Sequence, residues 1–234
     1  MNRPLPYVPT GVANIASLAA AFDRLGQTLV PATRQSIATA DALIVPGVGN
    51  FGAACKTLQR EGFTAAIRER ALAGRATLGI CLGMQLFCRS SEEALGSTGI
   101  GLVDAPIVRL PAGARCPHMG WNDVCVDAAM PANERRDDGA VRAGTAYFAN
   151  SFALEAPSRL ASGRRPQLSG MDVATFEHAG CDYVAALRSG DVLLCQFHPE
   201  LSSRYGDATL RGWLQAAGRE CLTRAPRNNQ DDTC

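Results

Sequence analysis

The stretch LGICLGMQLF, residues 78–87, sets Cys81 between an apolar run with strand character and a run with helical spacing, flanked by Gly79 and Gly83. A residue at such a corner projects beyond the sheet edge, at a helix N-terminus where unsatisfied backbone N–H groups point outward. Both features favour chemistry at sulfur. The helix dipole lowers a thiol pKa, and the free N–H groups can hold the oxyanion formed when sulfur attacks a carbonyl. Glycine at 79 and 83 suits a turn that leaves no room for side chains. A buried cysteine in a tight turn would read the same way, so the stretch alone does not choose.

A nucleophilic cysteine needs a base, and the chain has only three histidines. His198 lies in LLCQFHPE, at the end of an apolar strand run and one residue from Glu200. At that spacing the two side chains can lean the same way, so the carboxylate can orient the imidazole while its other nitrogen reaches sulfur. Pro199 stiffens the link. The pairing of a cysteine corner with a His-Pro-Glu strand end points to nucleophilic catalysis rather than to a structural histidine. His118 alone reads as a core or surface histidine, and His178 in FEHAG as a loop residue.

Several elements must carry these groups. Val12, Ile15, Leu18, Ala19, Phe22 and Leu25 recur at helical steps and Gly26 closes the run. The preceding PLPYVPT is the expected first strand, although its three prolines favour an edge or a turn. DALIVPGVG reads as a buried parallel strand, helices follow over 52–60 and 63–73, and ATLGI is a second buried strand. Leu82, Gln85, Leu86 and Arg89 continue at helical spacing. Right-handed crossovers between these elements predict an α/β fold with a parallel sheet covered on both faces. Short strands over 103–110, 121–127, 145–149, 172–176, 182–187 and 191–197 predict antiparallel pairs in the second half. A last helix spans about 206–217. The stretches at 128–144 and 155–170 are rich in Pro, Gly, Ser and charge and read as surface loops.

At 234 residues the chain suits one domain, taken as 1–220, followed by a polar tail over 221–234. The 23 basic and 22 acidic residues are balanced and scattered, which argues against a nucleic-acid or anionic-membrane surface. No apolar run approaches a membrane span and no leader pattern opens the chain, so a cytoplasmic location is expected. The nine cysteines lack paired C-x-x-C spacing and read as thiols, with Cys55, Cys88, Cys125, Cys181 and Cys195 assigned to packing. The histidines are far apart and no carboxylates show ligand spacing, so neither a metal nor a cofactor is expected.

With these sites in view, GICLGMQ and QFHPE resemble the nucleophile corner and the His-x-Glu motif of the class I (triad) glutamine amidotransferases. The order of LIVPGVGNFGAA, SSEEA, GIGLV, PHMGWNDV, YFANSF and QFHPELSS is similar to that of the glutaminase subunits of imidazole glycerol phosphate synthase. The resemblance covers residues 11 to about 217. It implies a flavodoxin-like, mostly parallel central sheet flanked by helices, with added antiparallel strands in the C-terminal half. It implies Cys81 as nucleophile, His198 as base and Glu200 as its orienter. It also implies an oxyanion hole from the N–H of Leu82 and one near Val48 or Gly49. Gly47, Gln85, Asn150 and Ser151 would meet L-glutamine, and His118, Trp121 and Asn122 a cyclase partner in a heterodimer.

The chain departs from the family at three places. VPTGVAN keeps Gly11, Val12 and Asn14 but lacks the usual acidic and aromatic residues. Asn150-Ser151 stands where His-Ser or His-Thr is usual, which bears on how the substrate's α-carbon groups are held. Leu201 replaces a lysine that pairs across the subunit interface. Leu201 and Asn150 make room for a paralogue feeding a sugar-modifying amidotransferase, whereas the intact Cys81, His198 and Glu200 argue against a non-catalytic interaction module and a stand-alone thiol hydrolase does not explain PHMGWN.

Overall fold

The structure, a computed structural model, describes residues 3–11, 13–111, 113, 115–126, 141–156 and 170–222. Val12, most of the two stretches expected as surface loops, and the tail from 223 onward fall outside the described residues. The first half runs β1 (Leu5–Tyr7), α1 (Ile15–Asp23), β2 (Leu29–Pro31), α2 (Arg34–Thr39), β3 (Leu43–Gly47), α3 (Phe51–Arg60), α4 (Phe63–Leu72), β4 (Thr77–Cys81) and the single turn α5 (Leu82–Gln85). The second half adds β5 (Cys88–Ser91), β6 (Val103–Arg109), β7 (His118–Val126), β8 (Gly144–Asn150), β9 (Phe152–Ala153), β10 (Asp172–His178), β11 (Cys181–Ser189), β12 (Val192–Cys195) and α6 (Ser203–Ala216).

Nine strands form one sheet in the order β2-β1-β3-β4-β12-β11-β10-β7-β8. The first five are parallel and the rest pair antiparallel. A second sheet joins β5, β6 and β9. Successive strand residues face opposite sides of the large sheet, and the core divides accordingly. Ile44, Leu78, Ile80 and Leu193 pack with Leu18 and Phe22 of α1 and with Leu210 and Trp213 of α6. Leu43, Val45, Val192 and Leu194 pack on the other side with Ile37, Leu58 and Ile67 of α2, α3 and α4 and with Val103 and Ile107 of β6. Among the described residues no helix is long and apolar enough to cross a membrane.

Four local expectations are corrected. The opening strand is not an edge, because β1 lies between β2 and β3. Its prolines are tolerated through alternation: Leu5 N–H and Tyr7 C=O bond on the β2 side, and Val8 N–H bonds Ile44 O on the β3 side. Pro6 is left where β3 is only beginning.

The helix after Cys81 does not reach Arg89. It stops after one turn because Ile100 N–H and Val103 N–H bond to the carbonyls of Leu86 and Phe87, drawing the chain into β5. Arg89 is a strand residue that pairs with Asp104 at 2.7 Å. Cys125 is exposed rather than packed, since it alternates with buried Val124 on β7. His178 ends a strand rather than sitting in a loop. It pairs with Cys181 across Ala179 and Gly180, whose positive φ values of 55° and 72° make a two-residue hairpin turn.

Candidate active site

Two close approaches of backbone build the corner that carries Cys81. A Cβ on Gly83 would lie 1.7 Å from Val45 O, and one on Gly79 would lie 2.8 Å from Leu194 Cδ2. Both glycines therefore serve to let α5 and β12 lie against β3 and β4, and neither has positive φ. The left-handed conformation falls on Cys81 itself, at φ 53° and ψ −112°. A non-glycine residue there costs about 1–3 kcal/mol, a strain characteristic of functional sites. Cys81 closes β4 in register with Gly47 of β3, so the sulfur emerges at the carboxyl end of the parallel strands, where open α/β sheets hold ligands.

β12 neighbours β4 and delivers His198 just beyond its end. His198 Nδ1 lies 2.8 Å from Glu200 Oε1, and both side chains are almost wholly buried. Burial by itself would lower the His198 pKa. Hydrogen bonding to Cys81 and Glu200, reinforced by the negative charge of each, outweighs it and raises the value to about 10. The imidazole thus faces the sulfur on one side and the carboxylate on the other. Glu200 Oε2 is buried without a hydrogen-bond partner among the described residues, so the carboxylate is committed to the histidine.

A pocket of about 480 Å³ opens over the sulfur, with room for an amino acid. Of the residues expected at the site, Cys81, His198, Val48, Gly49, Leu82, Gln85, Asn150 and Ser151 line it. Gly47 stands behind this wall, where a Cβ would meet Leu82 Cβ at 3.0 Å. Gly49 has φ 97°, a conformation open chiefly to glycine. Gln85 is buried, and its Nε2 donates to Phe152 O at 2.9 Å and Gln196 Oε1 at 3.0 Å. Asn150 Nδ2 donates to Phe152 O at 3.0 Å, and its Oδ1 is buried without a partner among the described residues.

Three residues expected at a partner surface separate on β7. Trp121 is 55 % exposed, beside exposed Met119, whereas half-buried Asn122 stays with His118, its Nδ2 3.3 Å from His118 Nε2. His118 turns inward against Phe148, Phe176 and His178, with ring centroids 5.2, 5.5 and 4.4 Å away. Burial, with the neighbouring His178, lowers its pKa to about 4.

Sequence reasoning assigned no role to Glu93, Asn50, Pro117, Ala149 or Phe152, which also line the pocket. Glu93 Oε2 accepts the Phe51 N–H at 2.7 Å, at the start of α3. Gln196 is fully buried, and its Nε2 approaches Cys81 Sγ at 3.8 Å. Its place two residues before His198, on an alternating strand end, was the signal that could have marked it. Glu93 has no comparable signal, because only the fold brings β5 and its following turn to the mouth of β3.

Arranged in this way, the residues can do nucleophilic chemistry at a carbonyl carbon through the sulfur. Residues 13–212 match the family model described as glutamine amidotransferase class-I. The chain is 35 % identical over 212 residues to imidazole glycerol phosphate synthase subunit HisH of Moorella thermoacetica, covering 90 % of this chain and 94 % of that one. It is 36 % identical over 219 residues to subunit HisH 2 of Parasynechococcus marenigrum, covering 92 % and 95 %. Among solved structures it resembles a glutamine amidotransferase at TM-score 0.65 and 21 % identity, covering 91 % and 98 %. A structure of PurLQS from Thermotoga maritima has the same TM-score at 16 % identity, covering 92 % and 99 %.

Proposed function

The chain belongs to the class I glutamine amidotransferase family, and on that premise we propose that it is the glutaminase subunit of imidazole glycerol phosphate synthase in histidine biosynthesis. It hydrolyses L-glutamine to glutamate and ammonia, and residues 1–220 act as one glutaminase unit. A cyclase subunit, its partner in a cytoplasmic heterodimer, uses the ammonia to make imidazole glycerol phosphate and aminoimidazole carboxamide ribotide.

In this reading His198 takes the proton of Cys81, and the sulfur attacks the side-chain carboxamide carbon of glutamine. The raised His198 pKa favours the imidazole holding that proton until it is handed to the departing ammonia. The tetrahedral oxyanion is stabilised by the N–H of Leu82 and one at Val48 or Gly49. Water, deprotonated by His198, then cleaves the glutamyl thioester and returns the thiol. Asn150, Ser151 and Gln85 hold the substrate, and the Glu93 carboxylate at the pocket offers a counter-charge to its α-ammonium group. Trp121 and Asn122 meet the cyclase, while His118 supports that strand from inside. The observation that carries the reading is the contact of His198 with Glu200 at 2.8 Å beside a strained Cys81 at one pocket.

The test is copurification with the cyclase followed by a glutamine-dependent synthase assay. Glutamate release should be low for the isolated chain and rise in the complex with cyclase ligand. Full activity of the isolated chain would remove partner-gated oxyanion formation from the account. One observation favours a second reading, a paralogue serving a sugar-modifying amidotransferase: Leu201, where a lysine is usual, presents an apolar side chain that is 41 % exposed. Pull-down of the cognate synthase separates the two.

A further inference from the structure

Ser202 stands at the N-cap of α6, where serine ordinarily accepts a hydrogen bond from the first turn of the helix. Here the side chain makes no capping bond. Its hydroxyl, wholly buried, instead donates to His198 O at 2.6 Å and accepts the Tyr147 N–H at 2.9 Å. Tyr147 O in turn accepts the His198 N–H at 2.9 Å. Tyr147 thus holds the His198 N–H directly and reaches its carbonyl, which also accepts the Leu201 N–H at 3.0 Å, through Ser202. Two residues further along β8, Ala149 O lies 3.9 Å from Cys81 Sγ, and Asn150 and Ser151 follow on the pocket wall.

Resting on the reading of Cys81 and His198 given above, we propose that Ser202 is a positioning residue that fixes the His198 imidazole over Cys81 by tying the His198 backbone to β8. It touches neither sulfur nor substrate and acts only through His198. The diversion of an N-cap hydroxyl away from its helix carries the inference. A serine serving α6 alone would bond to the helix, whereas this one joins the histidine loop to the strand that walls the pocket. Gly206 completes the arrangement, since a Cβ there would lie 1.8 Å from Pro199 O and force α6 off the same loop.

The test uses Ser202→Ala and Ser202→Cys in the full chain with its cyclase. Cysteine leaves no hole but is bulkier and a weak donor, so it decides the matter if the alanine variant does not fold. Expected is a fall in glutaminase kcat of about 10- to 10²-fold with KM within about twofold. The base limb of the kcat/KM profile should move toward an ordinary histidine value, and ammonia-dependent synthesis by the assembled complex should be unchanged. Wild-type kcat and pH profile in both variants would overturn the proposal, as would a loss confined to KM. A wild-type complex unable to hydrolyse glutamine would instead overturn the function on which the proposal rests.

Discussion

His198 Nδ1 and Glu200 Oε1 are 2.8 Å apart with only Pro199 between them, and the second carboxylate oxygen has no other partner among the described residues. The contact fixes the histidine tautomer and stabilises the protonated ring. Glu200→Gln keeps the shape and removes the charge. The His198 pKa, raised to about 10, should fall toward its usual value, and glutaminase kcat should drop by about 10²- to 10⁴-fold. Titration of the His198 ring by NMR, beside a kcat–pH profile, checks both. An unchanged titration would mean that the carboxylate does not set the base.

Gly83 is the tightest point of the corner. A methyl group there collides with the Val45 carbonyl, and its carbon is only 2.8 Å away. Backbone cannot yield as a flexible side chain does, so Gly83→Ala should destabilise the chain by about 3 kcal/mol or more. Denaturant unfolding measures this. A loss below about 1 kcal/mol would show that α5 can lift from β3 without consequence.

Arg70 uses its whole guanidinium inside the protein. Nε bonds Thr77 Oγ1, Nη1 bonds Ile37 O and Ala40 O, and Nη2 bonds Asp41 O and Ala76 O. Burial, with the charge of Arg75, lowers its pKa to about 10 against the pull of Asp41. The five donors tie α2 and α4 to the start of β3 and β4. A lysine has three donors without the planar fork, so Arg70→Lys should cost about 2–3 kcal/mol in the same unfolding assay.

His118 gives the fold an acid-sensitive slope. Its folded pKa of about 4 lies below the ordinary 6.5, so between those values the unfolded chain binds a proton that the folded chain does not. Stability is full above about pH 6.5 and falls as pH drops toward 4, by on the order of 3 kcal/mol. His118→Phe keeps the stack with Phe148 and Phe176 and removes the titration. Its unfolding free energy should lose that part of the acid slope, and an unaltered slope would assign it to other groups.

Much of this was legible in the sequence, for reasons that lie in particular residues. The buried parallel strands showed because Leu43–Gly47 and Thr77–Cys81, Thr77 apart, are runs of apolar residues buried on both faces. Cys81 and His198 showed because one sits on a glycine-flanked corner and the other ends a strand beside proline and glutamate. Arg89 misled because helical spacing persists for one turn past the point where Ile100 and Val103 capture the chain, a contact that belongs to tertiary structure. Pro6 misled because its missing donor is harmless only given the stagger of β3. Ser202 was hidden by its ordinary place before a helix, since sequence does not show whether an N-cap hydroxyl turns toward its helix or away.

Reaction of the assembled complex with an electrophilic glutamine analogue, read by mass spectrometry beside a glutamate-release assay of Cys81→Ala, tests the central claim most directly. The account predicts one adduct, on Cys81, rising in step with loss of glutaminase activity. It also predicts that the Cys81→Ala complex releases no glutamate yet still makes product from free ammonia. An adduct on another residue, or glutamate release surviving in Cys81→Ala, would contradict it.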